Sequence, residues 1–363
     1  MQEDASVMSK TRMVMIGGFL GAGKTTLINK IAQRLMLKKK AVGIITNDQG
    51  ELLVDTEFIK VRGIDVEEVP GGCFCCNFPK LIENAERLIG NTRPDFIIAE
   101  PVGSCTDLIA TVTLPLKKFY GDRFSTAPLI VLIDGPKLMD NAFDKDTLGG
   151  YLRSHQAEEA EILVLTKTDL LGTDDVKALE SKLKKMNPNA DVIRYSAMND
   201  EGFDRIMNII KSKKETSGGP VDIDYDKYAD AEAELGWYNG VFVFDSPEYD
   251  AYDLSMTMLR DIALKHDPRD IAHAKIALTS GSSHTKISLV GNEFSVGGVQ
   301  GSRFGRGESQ LNFNARITSE PEALRSSVRE TVEKAMSSRK ISYTMKFDDC
   351  FSPGRPNPTH RLI

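Results

Sequence analysis

The sequence contains no apolar run of about 18 residues, the least that a membrane-crossing helix needs. Its first stretch, MQEDASVMSKTR, lacks the apolar segment of a secretory signal, so a cytoplasmic protein with no membrane partner is expected. A basic excess is missing too. The 46 Lys and Arg residues face 52 Asp and Glu, and the formal charge of -6 offers no field that would gather nucleic acid or anionic lipid. Internal repeats and low-complexity tracts are absent. Cysteine is scarce, at five residues, and three of them (Cys73, Cys75, Cys76) fall within four positions. That clustering, without an export signal, suits metal or redox chemistry better than a disulfide framework.

What is present is an ordinary globular composition, 41% hydrophobic and 27% charged, over a length of 363 residues that suggests two domains. Between Arg12 and Ile210, short apolar runs (RMVMI, AVGIIT, FIIAE, PLIVLID, EILVLT, DVIRYS) alternate with amphipathic segments. This pattern predicts an α/β domain with a mainly parallel sheet covered on both faces. We place it over residues 1–212, followed by a linker over 213–223 in the Ser-, Gly- and Pro-bearing stretch and by a smaller α+β domain over 224–363. The second domain reads strand, helix, three strands, helix, strand, an order compatible with a ferredoxin-like split βαβ layout.

Directly after the first strand comes GFLGAGKTT, in which Gly18, Gly23, Lys24 and Thr25 fill the G-x-x-x-x-G-K-[ST] pattern of a phosphate-binding loop. Gly18, Gly21, Ala22, Gly23, Lys24, Thr25 and Thr26 form the expected cradle. Backbone N–H groups wrap the phosphates, Lys24 reaches the β and γ oxygens, and the Thr25 hydroxyl ligates Mg²⁺. Glu100, closing the strand FIIAE, is the candidate carboxylate for the same ion. Asn47, Asp48, Glu51 and Asp55 follow the second strand, where switch loops sense the γ-phosphate. Asp48 is the first choice there for placing the attacking water or completing the metal shell.

The strand EILVL runs into Thr166-Lys167-Thr168-Asp169. Asp169 supplies the carboxylate that a guanine-reading loop needs for guanine N1 and N2, and Lys167 can lay its stem along the base. Thr166 stands where Asn is usual. Ser196 and Ala197 begin a loop whose backbone can approach the base carbonyl. GTP is therefore the expected nucleotide. The cysteine cluster, with Cys105 as an added candidate, is expected to hold Zn²⁺ or another divalent transition metal. Neighbouring side chains diverge on an extended backbone, so two of the three clustered thiols plus an outside ligand is the expected set. Cys350 and the five scattered histidines read as structural.

These segments together resemble the CobW-type GTPases, which are related to the HypB, UreG and MeaB nucleotide-dependent metallocentre chaperones. The resemblance rests on GGFLGAGKTTLINK, NDQGELLVD, GGCFCC and HQAEEAEILVLTKTDL, and covers residues 12–212. It implies GTP hydrolysis, a divalent metal at the cysteines and assembly of a metallocentre in a client. Three departures stand out: Asp48 for the usual Glu, Thr166 for Asn, and EPVGSC, which is closer to HypB. The resulting expectation is a GTPase switch in which metal occupancy and nucleotide state are coupled, with Lys24, Asp48 and Glu100 as catalytic residues. Its partners would be a client metalloprotein or corrinoid protein, with a homodimer compatible. Two other readings stay open: a MeaB-like conformational chaperone of a corrinoid enzyme, and a non-enzymatic interaction protein stapled by structural zinc.

Overall fold

The computed structural model describes residues 10–47, 65–69, 73–140 and 142–363. Asp48, Glu51 and Asp55 lie outside the described residues. Described residues up to Ile223, together with Asn357–Ile363, form one compact unit, and Asp224–Pro356 form another.

In the first unit, β1 (Thr11–Gly18), β2 (Val42–Thr46), β3 (Asp65–Glu68), β4 (Phe96–Glu100), β5 (Phe124–Thr126), β6 (Ile130–Asp134), β7 (Ile162–Thr166) and β8 (Asp191–Arg194) build one sheet. Its order is β3-β2-β4-β1-β6-β7-β8, with β5 also paired to β1, and every pairing is parallel. Every residue of β1, β2, β4, β6 and β7 is buried. This is why these strands read as unbroken apolar runs rather than alternating ones. The covering helices are α1 (Lys24–Leu37), α2 (Phe78–Thr92), α3 (Leu114–Tyr120), α4 (Gly135–Met139), α5 (Leu148–Glu159), α6 (Thr173–Met186) and α7 (Phe203–Lys211). On α2, Leu81, Ile82, Ala85 and Leu88 recur at helical spacing and are buried. Strand order reverses at β1, whose neighbours are β4 and β6, so the carboxyl ends of these strands frame the crevice where α/β sheets take their ligands.

The second unit holds α8 (Tyr225–Ala233), β9 (Leu235–Asp250), α9 (Ala251–Lys265), β10 (Ile271–Ser280), β11 (Ser283–Val290), β12 (Glu293–Gln300), β13 (Phe304–Thr318), α10 (Pro321–Ser337) and β14 (Tyr343–Phe351). Its antiparallel sheet runs β12-β11-β10-β13-β9-β14. The run β10-β13-β9-β14 has the split βαβ order, and the hairpin β11–β12 extends it at one edge. β12 has no counterpart among the expected strands. Its EFSVGGVQ sequence carries paired glycines that weaken a strand signal.

Candidate nucleotide and metal site

The phosphate loop begins where β1 meets β6. Gly18 has φ 130°, and a Cβ there would lie 2.5 Å from the Leu132 carbonyl oxygen, so no other residue fits. The chain then turns through Gly21 (φ 80°) and Gly23 (φ 94°), with the Ala22 N–H donating to the Phe19 carbonyl at 3.2 Å. α1 starts at Lys24 with neither a side-chain cap nor an acidic residue in its first turn. Its N-terminal N–H groups and dipole are thus left to an anion. Lys24 is buried, with Nζ 3.8 Å from Glu100 Oε1. The Thr25 hydroxyl lies 3.3 Å from both Glu100 oxygens, while Thr26 is exposed. Adjacent oxygens on octahedral Mg²⁺ sit about 3 Å apart, so Thr25 and Glu100 fit two positions of that ion.

At the other end of the crevice, the Thr166 hydroxyl is 3.0 Å from the Ala22 carbonyl and 3.2 Å from that of Ile133. Its single proton serves either, and it ties the phosphate loop to β6 and β7. Lys167 takes a left-handed conformation (φ 59°), and its ammonium pairs with Asp134 Oδ2 at 2.7 Å. Asp134 sits opposite Thr166 in the β6–β7 register. Asp169 is exposed in the short turn Thr168–Leu170. That turn is joined to the loop after β8 by the Thr168 hydroxyl, which donates to Glu201 at 2.9 Å. In this loop Ser196 is buried and accepts the Met198 N–H at 3.1 Å, and the Ala197 carbonyl accepts Lys30 Nζ at 2.5 Å.

The cysteines occupy a turn ahead of α2. The Asn77 N–H donates to the Cys73 carbonyl at 2.9 Å, and residues 74–77 coil tightly. The divergence expected of neighbours on an extended chain therefore does not arise. The Cys73, Cys75 and Cys76 sulfurs all lie within 4.8 Å of one another. Tetrahedral thiolates about 2.3 Å from Zn²⁺ are about 3.8 Å apart; the Cys75 and Cys76 sulfurs stand at 3.8 Å, and those of Cys73 and Cys75, at 2.8 Å, would part by about 1 Å to share one ion. Cys105 is buried beside this turn and interacts with Cys73 and Cys75, but its sulfur is not one of the three that lie within 4.8 Å of one another. Donation from Cys105, then Cys75 and Cys76, holds the Cys73 thiol far below its ordinary range. The same bonds and burial raise Cys75, and Cys73 pushes Cys76 up to about 11. Cys350, in the second unit, instead donates to the Pro321 carbonyl at 3.0 Å.

A short loop links the two sites. It leaves Glu100 and reaches Cys105, fixed by Gln156, whose Nε2 donates to the Gly103 and Cys105 carbonyls, each at 2.9 Å. Gly103 touches the phosphate loop closely: a Cβ there would be 2.5 Å from Leu20 Cδ2 and 3.1 Å from the Leu20 nitrogen. Arg153 of α5 covers the neighbouring Phe19 ring, 3.9 Å from its centre, and burial lowers its guanidinium to about 10.

The profile of the CobW/HypB/UreG nucleotide-binding domain matches residues 12–194. The chain belongs to this family. Among curated relatives, the zinc chaperone YjiA of Escherichia coli is 26% identical over 57% of this chain and 66% of its own length. The zinc chaperone CobW of a Sinorhizobium species is 29% identical over 48% and 55%. The chain thus spans between half and two thirds of those relatives. Among solved structures, the hydrogenase maturation factor HypB of Archaeoglobus fulgidus is 22% identical, with a TM-score of 0.41 over 55% of this chain and 89% of its own. Zn(II)-bound YjiA of Escherichia coli is 17% identical, with a TM-score of 0.39 over 91% and 99%.

In this CobW/HypB/UreG chain, Lys24, Thr25 and Glu100 come together, as do Cys73, Cys75 and Cys76, while Cys105 lies outside that group of three sulfurs. Asp48 lies outside the described residues. Asp134, Gln156, Arg153 and Gly103 were not singled out in the sequence. Asp134 carried a usable signal, since it closes the apolar run PLIVLID as Glu100 closes FIIAE. The others acquire their contacts only through tertiary packing.

Proposed function

We propose that this chain hydrolyses GTP and couples its nucleotide state to the binding of Zn²⁺ or a similar ion at the thiols, for delivery to a client metalloprotein or corrinoid protein. The observation that carries the reading is the loop from Glu100 to Cys105, which is packed on Leu20 of the phosphate loop at Gly103. Any shift of the phosphate loop or of Glu100 between nucleotide states displaces a wall of the thiol cluster. Lys24 neutralises charge building on the β and γ oxygens, and Asp48 places the attacking water. Thr25 and Glu100 would hold Mg²⁺, which supplies further charge neutralisation at those oxygens. Residues 224–356 recognise the client. The relatives named as zinc chaperones support the choice of cargo.

Gly103→Val tests the link. The added methyl groups overpack Leu20, at a cost of about 1–3 kcal/mol, so GTP affinity should fall roughly tenfold or more. Zn²⁺ affinity measured without nucleotide should change little, but its dependence on nucleotide should vanish. Unchanged GTP affinity would show that the loop does not bear on the phosphates.

Base choice is assigned to Asp169. Asp169→Asn presents a donor where guanine also donates, so GTP affinity should drop by roughly 100-fold or more while ATP affinity stays nearly constant. Competition binding with the two nucleotides measures this, and equal losses would remove Asp169 from the base site.

A further inference from the structure

The cysteine turn does not stand alone within its unit. After β14, residues 352–356 lead to Asn357–Ile363, which belongs to the first unit and lies along the thiols. The Asn357 N–H donates to Cys76 Sγ at 3.3 Å. Two residues on, the Thr359 N–H donates to the Cys75 carbonyl at 2.9 Å, and the Thr359 hydroxyl to the Cys76 carbonyl at 3.1 Å. The His360 ring packs edge-on against Phe78, which opens α2, with centres 5.2 Å apart.

The same segment also grips the loop that carries Cys105. Arg361 Nε donates to Asp107 Oδ2 at 2.7 Å, and its Nη2 to the Val221 carbonyl at 3.1 Å. The Leu362 N–H closes on the Ala110 carbonyl at 2.9 Å. Asp107 lies two positions past Cys105, is buried, and holds a left-handed φ of 61°. Nearby Glu159 is wholly buried and bonded to the Thr106 hydroxyl at 3.0 Å. Burial, then the charge of Asp107, raises its carboxyl to about 8. A buried aspartate beside a second buried carboxyl calls for a cationic partner, and Arg361 provides one. Pro353, Pro356 and Pro358 restrict the segment, which limits the entropy lost when it docks.

We infer that Asn357–Ile363 is part of the metal site, with Asn357 and Arg361 as positioning residues: the first bonds the Cys76 sulfur, and the second holds the Cys105 loop through Asp107. The inference rests on the reading of the thiols as a Zn²⁺ site. The Asn357 and Thr359 contacts cover the Cys76 sulfur and fix the backbone of Cys75 and Cys76, which holds the two thiols in place for an ion. Arg361 favours the loop conformation that brings Cys105 to Cys73 and Cys75.

The test compares the 363-residue wild-type chain with Arg361→Ala and Arg361→Lys, and with a chain stopped after Pro356. Zn²⁺ release to a chromogenic chelator and alkylation of Cys76 by iodoacetamide in metal-free protein are the readouts, with circular dichroism and GTP affinity as checks on folding. Arg361→Ala should release Zn²⁺ roughly 10-fold faster, within the range that outer partners of metal ligands command. The stopped chain should release it faster still and alkylate Cys76 several-fold faster. Lysine restores charge without the paired geometry, so Arg361→Lys should recover part of the loss. Wild-type release from Arg361→Ala, with wild-type alkylation in the stopped chain, would overturn the inference. A wild-type chain that binds no Zn²⁺ would overturn the zinc reading itself. If the stopped chain does not fold, the two point variants decide.

Discussion

Lys24→Ala is expected to lower GTP turnover by roughly 10³-fold or more, a loss comparable to removing a dedicated charge-stabilising group from phosphoryl transfer. Lys24 is buried at the start of α1, and its Nζ lies 3.8 Å from Glu100 Oε1. On the proposed function the ammonium would be placed before the reaction begins, so charge developing on the phosphate oxygens would be met without reorganisation. Removing it also leaves Glu100 buried with a lost counter-charge, which works against an anionic ligand. Turnover measured at saturating GTP separates this effect from weaker binding. Wild-type turnover in Lys24→Ala would contradict the enzymatic reading.

Cys75→Ser should weaken Zn²⁺ binding by more than the 10–100-fold that outer partners of metal ligands typically contribute, because it removes a sulfur from the ion itself. Cys75 is the most enclosed of the three turn thiols, and its sulfur lies 2.8 Å from that of Cys73 and 3.8 Å from that of Cys76. The fold should survive, since a unit with this much apolar core does not depend on a metal staple. The buried hydroxyl costs about 1–3 kcal/mol at most. Cys350→Ser, far along the sequence in the second unit, serves as the control with unchanged affinity. Binding should also strengthen as pH rises. Cys75 is raised and Cys76 lies near 11, so both carry protons at neutral pH that the ion must displace. Equal Zn²⁺ affinity in wild type and Cys75→Ser would remove Cys75 from the site.

The α/β architecture was legible because buried parallel strands leave continuous apolar runs, and because the phosphate loop has a fixed place between strand and helix. β5, only three residues long, leaves too short a pattern to read. The Lys167–Asp134 pair could not be read directly, since it follows from the register that sets Thr166 opposite Asp134 on a neighbouring strand. The cysteines illustrate the same limit. Their spacing pointed to a metal, but only the turn closed by Asn77 brings adjacent side chains onto one point. Least legible was Asn357–Ile363. A proline-bearing run predicts an extended backbone, and nothing local in it says that it docks on residues more than two hundred positions earlier.

The coupling itself is tested most directly by titrating Zn²⁺ into the wild-type chain with no nucleotide, with GDP and with a non-hydrolysable GTP analogue, in the presence of Mg²⁺. The account predicts affinities that differ by roughly 5–150-fold between the GDP and analogue states, the span of typical coupling between sites, with a reciprocal shift in nucleotide affinity when Zn²⁺ is bound. One Zn²⁺ affinity across all three states would contradict it.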